Sequence, residues 1–225
     1  MCGRYALTTP IEAVARHFGA VADPFDDPGP RRDIRPTQQV PAVILRDGRR
    51  VLTPMRWGFL PHWYDSPSAG PLIINARAEG IADKPAFRKA VRETRCLVPA
   101  NGFYEWRPGP EPGRERVHWV SPPGEALFAM AGVWRLWQGP GGPLACLAIV
   151  TCPANAALRG VHHRMPVVIA PQDYGLWLGE AGHGAARLMR PAPEDFFVIE
   201  KGRGPGDQPH PRSSSATSDG QSGAV

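Results

Sequence analysis

At 225 residues the chain is long enough for one sizeable domain to bury a core without disulfides, and its 27 Pro and 25 Gly exclude long helices, coiled coils and helical repeats. A hydrophobic share of 42% excludes a disordered chain, and no apolar run approaches the ~18 residues that a membrane helix needs. The net charge of +5 is carried almost wholly by arginine, which suits bidentate phosphate contacts and equally fits a bias in gene composition.

In chain order, Met1-Cys2-Gly3-Arg4-Tyr5 lacks a positive segment followed by an apolar stretch, so a cytoplasmic protein is expected. Thr9-Pro10-Ile11-Glu12 has capping-box spacing, and Ile11, Val14, Ala15 and Phe18 share one face, which predicts a helix over 10–19. Residues 21–39, rich in Asp, Pro and Arg, read as an exposed loop. Val40–Arg46 and Arg49–Thr53, joined by Asp47-Gly48, read as a hairpin. Strand-length apolar segments follow at 72–74, 96–99, 102–106, 117–120, 126–134, 144–151 and 167–170, with short helices expected at 85–93 and 172–178. Strands in runs with irregular helices predict a single α+β domain over residues 2–201 on a mixed or antiparallel sheet. Residues 202–225 are polar, Gly-, Pro- and Ser-rich, and read as a disordered tail.

Four residues or segments carry chemistry. Removal of Met1 would make Cys2 a 1,2-aminothiol, whose amine and thiol both ionise near neutral pH; otherwise Cys2 is a small buried residue. Such a terminus can condense with an aldehyde to a thiazolidine, or attack a carbonyl with its own amine as base. Asn75, Arg77 and Glu79 alternate and would share one strand face, as a polar site or as a surface salt bridge. Glu105 lies among aromatics that would desolvate it, for proton transfer or for a buried ion pair. His162-His163-Arg164 precedes a strand and reads as catalytic or as structural. The cysteines at 2, 96, 146 and 152 include no C-x-x-C pair, so free thiols are expected, with no metal and no cofactor.

Together these segments, with Trp57-Gly58-Phe59-Leu60-Pro61-His62-Trp63, residues 95–106, Ala131-Gly132-Val133-Trp134 and His162-His163-Arg164-Met165-Pro166, resemble the SRAP family, the SOS response-associated peptidase or abasic-site processing proteins. The likeness spans residues 2 to about 170 in the family's order. It implies an α+β fold on a curved, partly barrel-like sheet and a thiazolidine crosslink between Cys2 and an abasic site in single-stranded DNA; a monomer is expected because a protein acting on one lesion needs no symmetry. By motif position Asn75 would orient the sugar. Glu105 would move protons, including in removal of Met1, and His162 would assist ring opening and crosslink reversal. Arg4, Arg77 and Arg164 would hold phosphates, Pro36 and Trp63 would pack on bases, and Thr151 would line the wall. The chain departs from the pattern at Asp33 and Arg35, where the family has Asn and Ala, at Gly80 for Thr, at His163 for Asp, and after Arg190, where the C-terminal motif is not recognisable. Two other readings stand beside this one. A class II glutamine amidotransferase would use Cys2 with Asn101-Gly102 as oxyanion hole, and a DNA-binding relative would have lost the chemistry.

Overall fold

The structure is a computed structural model that describes residues 2–24, 26, 28–109 and 115–206. In chain order it contains β1 (Tyr5–Leu7), α1 (Ile11–Phe18), β2 (Val21–Ala22), β3 (Arg31–Ile34), β4 (Gln39–Arg46), β5 (Arg49–Trp57) and β6 (Asn75–Arg77). There follow α2 (Ala90–Glu93), β7 (Arg95–Ala100), β8 (Gly102–Pro108), β9 (Glu115–Ser121), β10 (Phe128–Gly139), β11 (Gly142–Pro153) and α3 (Ala156–Arg159). The last are β12 (Arg164–Pro166), β13 (Val168–Ile169), α4 (Tyr174–Leu178) and β14 (Val198–Lys201).

The β4–β5 hairpin closes where the sequence places it. Asp47 and Gly48 both take positive φ, 51° and 72°, the conformation whose twist matches antiparallel strands. Its apolar residues turn into a ring. β4 pairs with β7 at Val43 and Leu97, β7 with β10, and β10 with β11, while β11 returns to β5 in a parallel register at Leu147 and Trp57. The five strands β4, β5, β11, β10 and β7 thus form a closed barrel, which leaves no unpaired edge within the ring. Val43, Leu52, Leu97 and Ala131 share one face of these strands, and all four are buried in the hydrophobic core.

A second sheet has the order β14-β9-β8-β1-β3. The chain passes from the barrel into it at one residue, Asn101, between β7 and β8. This corner is held by side-chain chemistry. Asn101 Oδ1 accepts the backbone N–H groups of Thr8 and Thr9 at 2.8 and 3.1 Å, and Nδ2 donates to the Glu125 carbonyl at 2.8 Å. The expected capping box is therefore not made. Thr9 Oγ1 is bonded to Asn101, and Pro10 becomes the N-cap of α1 with no side-chain bond.

Other expectations need correction. The expected loop over 21–39 contains β2 and β3, because pairing with β5 and β1 overrides the weak propensity of these charged residues. Only Ile73 of the expected 72–74 strand pairs, in an isolated bridge to Phe59, and the strand proper begins at Asn75. The 85–93 helix is a series of turns until Ala90, and the 172–178 helix opens as a 3-10 turn over Pro171–Asp173. β10 and β11 run to 12 residues each, since each strand supplies the other's hydrogen bonds beyond the apolar stretch. Packing continues to Arg203, which is buried over the Trp119 ring and paired with Glu125 and Glu200. The remainder of the expected tail, 207–225, lies outside the described residues.

Candidate active site

Cys2 leads into β1, the strand between β3 and β8. The β1–β8 register, Tyr5 opposite Phe103 and Ala6 opposite Gly102, extended by two residues along each chain brings Glu105 opposite Gly3, and its charge acts on the neighbouring Cys2. Both side chains are buried, at 1% and 2% exposure. Burial pushes the Cys2 thiol up from its usual range, and the nearby Glu105 charge adds to the shift. Burial likewise raises Glu105 above the usual carboxylate range. Asn75, at the start of β6, donates from Nδ2 to the Cys2 carbonyl at 3.1 Å. Its Oδ1 is buried and has no hydrogen-bond partner among the described residues. The parallel pairing of β6 with β11 at Ile149 fixes Asn75 there.

The His162–His163 pair stacks with ring centroids 4.4 Å apart. Charge on His163 acts on Glu105, so the pair lies within electrostatic reach of the carboxylate. The Arg164 N–H lies 2.9 Å from His162 Nδ1, which makes Nδ1 an acceptor and puts the neutral ring's proton on Nε2. The Arg164 carbonyl, 3.2 Å from the same nitrogen, becomes its partner when the ring is protonated. Burial lowers the His162 pKa and keeps the neutral form at pH 7.

The strand that carries Asn75 stops at Arg77, so the expected alternation does not extend to Glu79, which lies in the following turn. Arg77 is exposed, whereas Glu79 takes both Nη atoms of Arg164, at 2.6 and 2.9 Å. That bond holds Glu79 down to about 2. Arg164 is only 7% exposed and also donates to the carbonyl of the buried Thr151 at 2.6 Å, so its guanidinium joins β12 to the end of β6 across β11. Arg4 donates to Asp33 and lies 5.7 Å from the Trp106 ring centroid. Pro36 is half-buried, and Trp63 is 53% exposed on the segment between β5 and β6. Sequence reasoning missed the Arg4–Asp33–Arg35 cluster and the corner role of Asn101. The Asn-Gly break between two strand-length segments was the available signal for the corner. Among the described residues, no group of three or more His, Cys, Asp or Glu could hold a metal ion, and no helix is long and apolar enough to cross a membrane.

The family described as SOS response associated peptidase (SRAP) matches residues 1–201. The chain belongs to the SRAP family. Its similarity to named proteins includes the abasic site processing protein YoqW of Bacillus subtilis, 33% identical over 79% of this chain and 80% of that one. The abasic site processing protein YedK of Escherichia coli is 28% identical over 79% of each chain. Among solved structures, a protein from Bacteroides thetaiotaomicron superposes with a TM-score of 0.78 at 23% identity, covering 92% of this chain and 97% of that one. A phage-related protein from Bordetella bronchiseptica gives 0.70 at 29% identity, covering 90% and 95%.

Two departures of this SRAP chain have local explanations. Gly80 has φ of 70° in the turn after Glu79, a left-handed conformation that a β-branched threonine adopts only at a cost. With His163 next to it, Arg164 is oriented by Glu79, and no acid at position 163 is required.

Proposed function

We propose that this SRAP protein processes abasic sites, binding them in single-stranded DNA and capturing them on Cys2 once Met1 has been removed. The observation that carries the reading is the convergence on Cys2 of the Asn75 amide and the buried Glu105 carboxyl. An abasic deoxyribose is mostly a closed hemiacetal. Opening it moves one proton from the anomeric hydroxyl to the ring oxygen: the protonated Glu105 carboxyl is suited to give its proton to the ring oxygen and recover one from the hydroxyl, while the Nε2–H of His162 hydrogen-bonds the sugar without leaving its ring. The Cys2 amine then adds to the C1 aldehyde to give a carbinolamine. Glu105, whose protonated form burial favours, donates the proton with which the hydroxyl leaves as water and takes one back from the iminium nitrogen. The thiol adds to the imine carbon and its proton passes to the nitrogen, so one aldehyde and one aminothiol yield one thiazolidine and one water. Asn75 holds the Cys2 carbonyl so that amine and thiol face the same carbon. Glu105 is also the group suited to assist hydrolysis of the Met1–Cys2 bond.

Arg4, Arg77 and Arg164 supply phosphate contacts, Arg164 in competition with Glu79, while Pro36 and Trp63 pack on neighbouring bases and Thr151 lines the wall. Such a surface is sequence-tolerant, as a lesion without a base demands. The protein acts in this reading as a cytoplasmic monomer that joins the nucleoid through DNA. The amidotransferase alternative has a specific observation against it. Asn101, 4% exposed, commits its amide to Thr8, Thr9 and Glu125, so it has no oxyanion to serve.

A denaturing gel of the processed protein with an abasic single strand tests the proposal. A heat-stable shifted band is expected, absent in Cys2→Ala and when an uncleavable tag precedes Cys2. Binding without a band identifies a non-catalytic relative and sinks the covalent mechanism.

A further inference from the structure

The β1–β3 pairing sets Tyr5 opposite Ile34, and Arg4 and Arg35 flank that pair at the same end of the two strands. Like charges brought side by side repel. Here one carboxylate lies between them. Asp33 Oδ1 accepts from Arg4 Nε at 2.6 Å, and Oδ2 accepts from Arg4 Nη2 at 3.2 Å and from Arg35 Nε and Nη2 at 3.0 and 2.7 Å. The bond from Arg4, followed by that from Arg35, holds the Asp33 carboxyl below its usual range, so it stays ionised. Each guanidinium turns the same edge, Nε and Nη2, toward Asp33. That leaves Nη1 of each without an acceptor among the described residues. The Trp106 ring backs Arg4, and Arg35 is 58% exposed. The cluster carries one net positive charge, matching one phosphodiester, and Pro36 follows Arg35 directly.

We infer that Asp33 builds a two-arginine seat for a DNA phosphodiester, in which Arg35 is a phosphate contact beside Arg4 and Asp33 is the positioning residue. The inference rests on the reading of the chain as a single-strand DNA binder. A fork already anchored at one edge loses less side-chain freedom on binding than two unrestrained arginines do.

The test uses an unmodified single-stranded oligonucleotide, which has no aldehyde and reports non-covalent binding alone, titrated by fluorescence anisotropy across a salt series. Arg35→Ala is expected to weaken binding several-fold and to make the slope of log affinity against log salt shallower by about 0.7, one phosphate's worth for a single strand. Arg35→Gln serves should the alanine variant fail to fold. Asp33→Ala separates positioning from simple charge. Removing a negative charge beside a phosphate should tighten binding on electrostatics alone, whereas loss of the anchor weakens it. Tighter or unchanged binding by Asp33→Ala, or an unchanged salt slope in the Arg35 variants, overturns the seat while leaving the DNA-binding reading intact. A native chain that does not bind the strand overturns both.

Discussion

Glu105 shows how little separates a structural acid from a reactive one. Its neighbours in sequence, Tyr104 and Trp106, foretell desolvation, and burial raises its pKa. A raised carboxyl stays protonated to higher pH than an exposed one and gives up its proton as pH passes the elevated value. Thiazolidine formation should therefore have a bell-shaped pH profile. The rising limb reports deprotonation of the Cys2 amine, and the falling limb reports loss of the Glu105 proton. Glu105→Gln should lower the single-turnover crosslinking rate by about 10²- to 10⁴-fold and remove the falling limb. A variant that keeps the falling limb would assign it to another group. Arg164 teaches the converse. A guanidinium that reads from sequence as a phosphate ligand is engaged by Glu79 and the Thr151 carbonyl.

At the scale of elements, the site depends on corners more than on strands. Asn101 joins β7 to β8 and ties the β1–α1 turn to the same point, so one amide sets the position of the strand that Cys2 leads into. Asn101→Ala strands two N–H groups and a carbonyl in a buried place, with an expected loss of about 3 kcal/mol in chemical denaturation. Asn101→Asp, which retains the acceptor for Thr8 and Thr9, should recover part of it. Equal losses in the two variants would deny the two N–H bonds their role. The hairpin of β4 and β5 was legible because its turn residues and its apolar alternation are local. β3 was not, because Arg31–Ile34 has no strand propensity of its own and forms only against β1. α1 was legible in its apolar face but not in its cap, since the Thr9 hydroxyl meets a partner 92 residues away.

On the scale of the whole molecule, the barrel and the second sheet share one packed interior. Trp57 lies at the closing β5–β11 junction, makes an edge-to-face contact with Tyr5 of β1 at 5.3 Å, and donates from Nε1 to the Ile74 carbonyl beside Asn75. Trp57→Ala should cost about 3–5 kcal/mol. Urea unfolding followed by far-ultraviolet dichroism and by tryptophan fluorescence should still give one coincident transition, as expected where two sheets share a core. Two separated transitions would mean that the sheets fold independently.

The sequence by itself determined the class of fold, the hairpin at Asp47-Gly48, the first helix and, through the order of its motifs, the family. These are matters of local periodicity, turn chemistry and residue type, which short stretches of chain carry. Only the tertiary structure decided that the barrel closes through a parallel β5–β11 pairing, that Glu79 holds Arg164, and that Asp33 lies between two arginines. Each of these is a contact between segments far apart in sequence. Their hydrogen-bonding groups have many possible partners along the chain, and burial and register select among them.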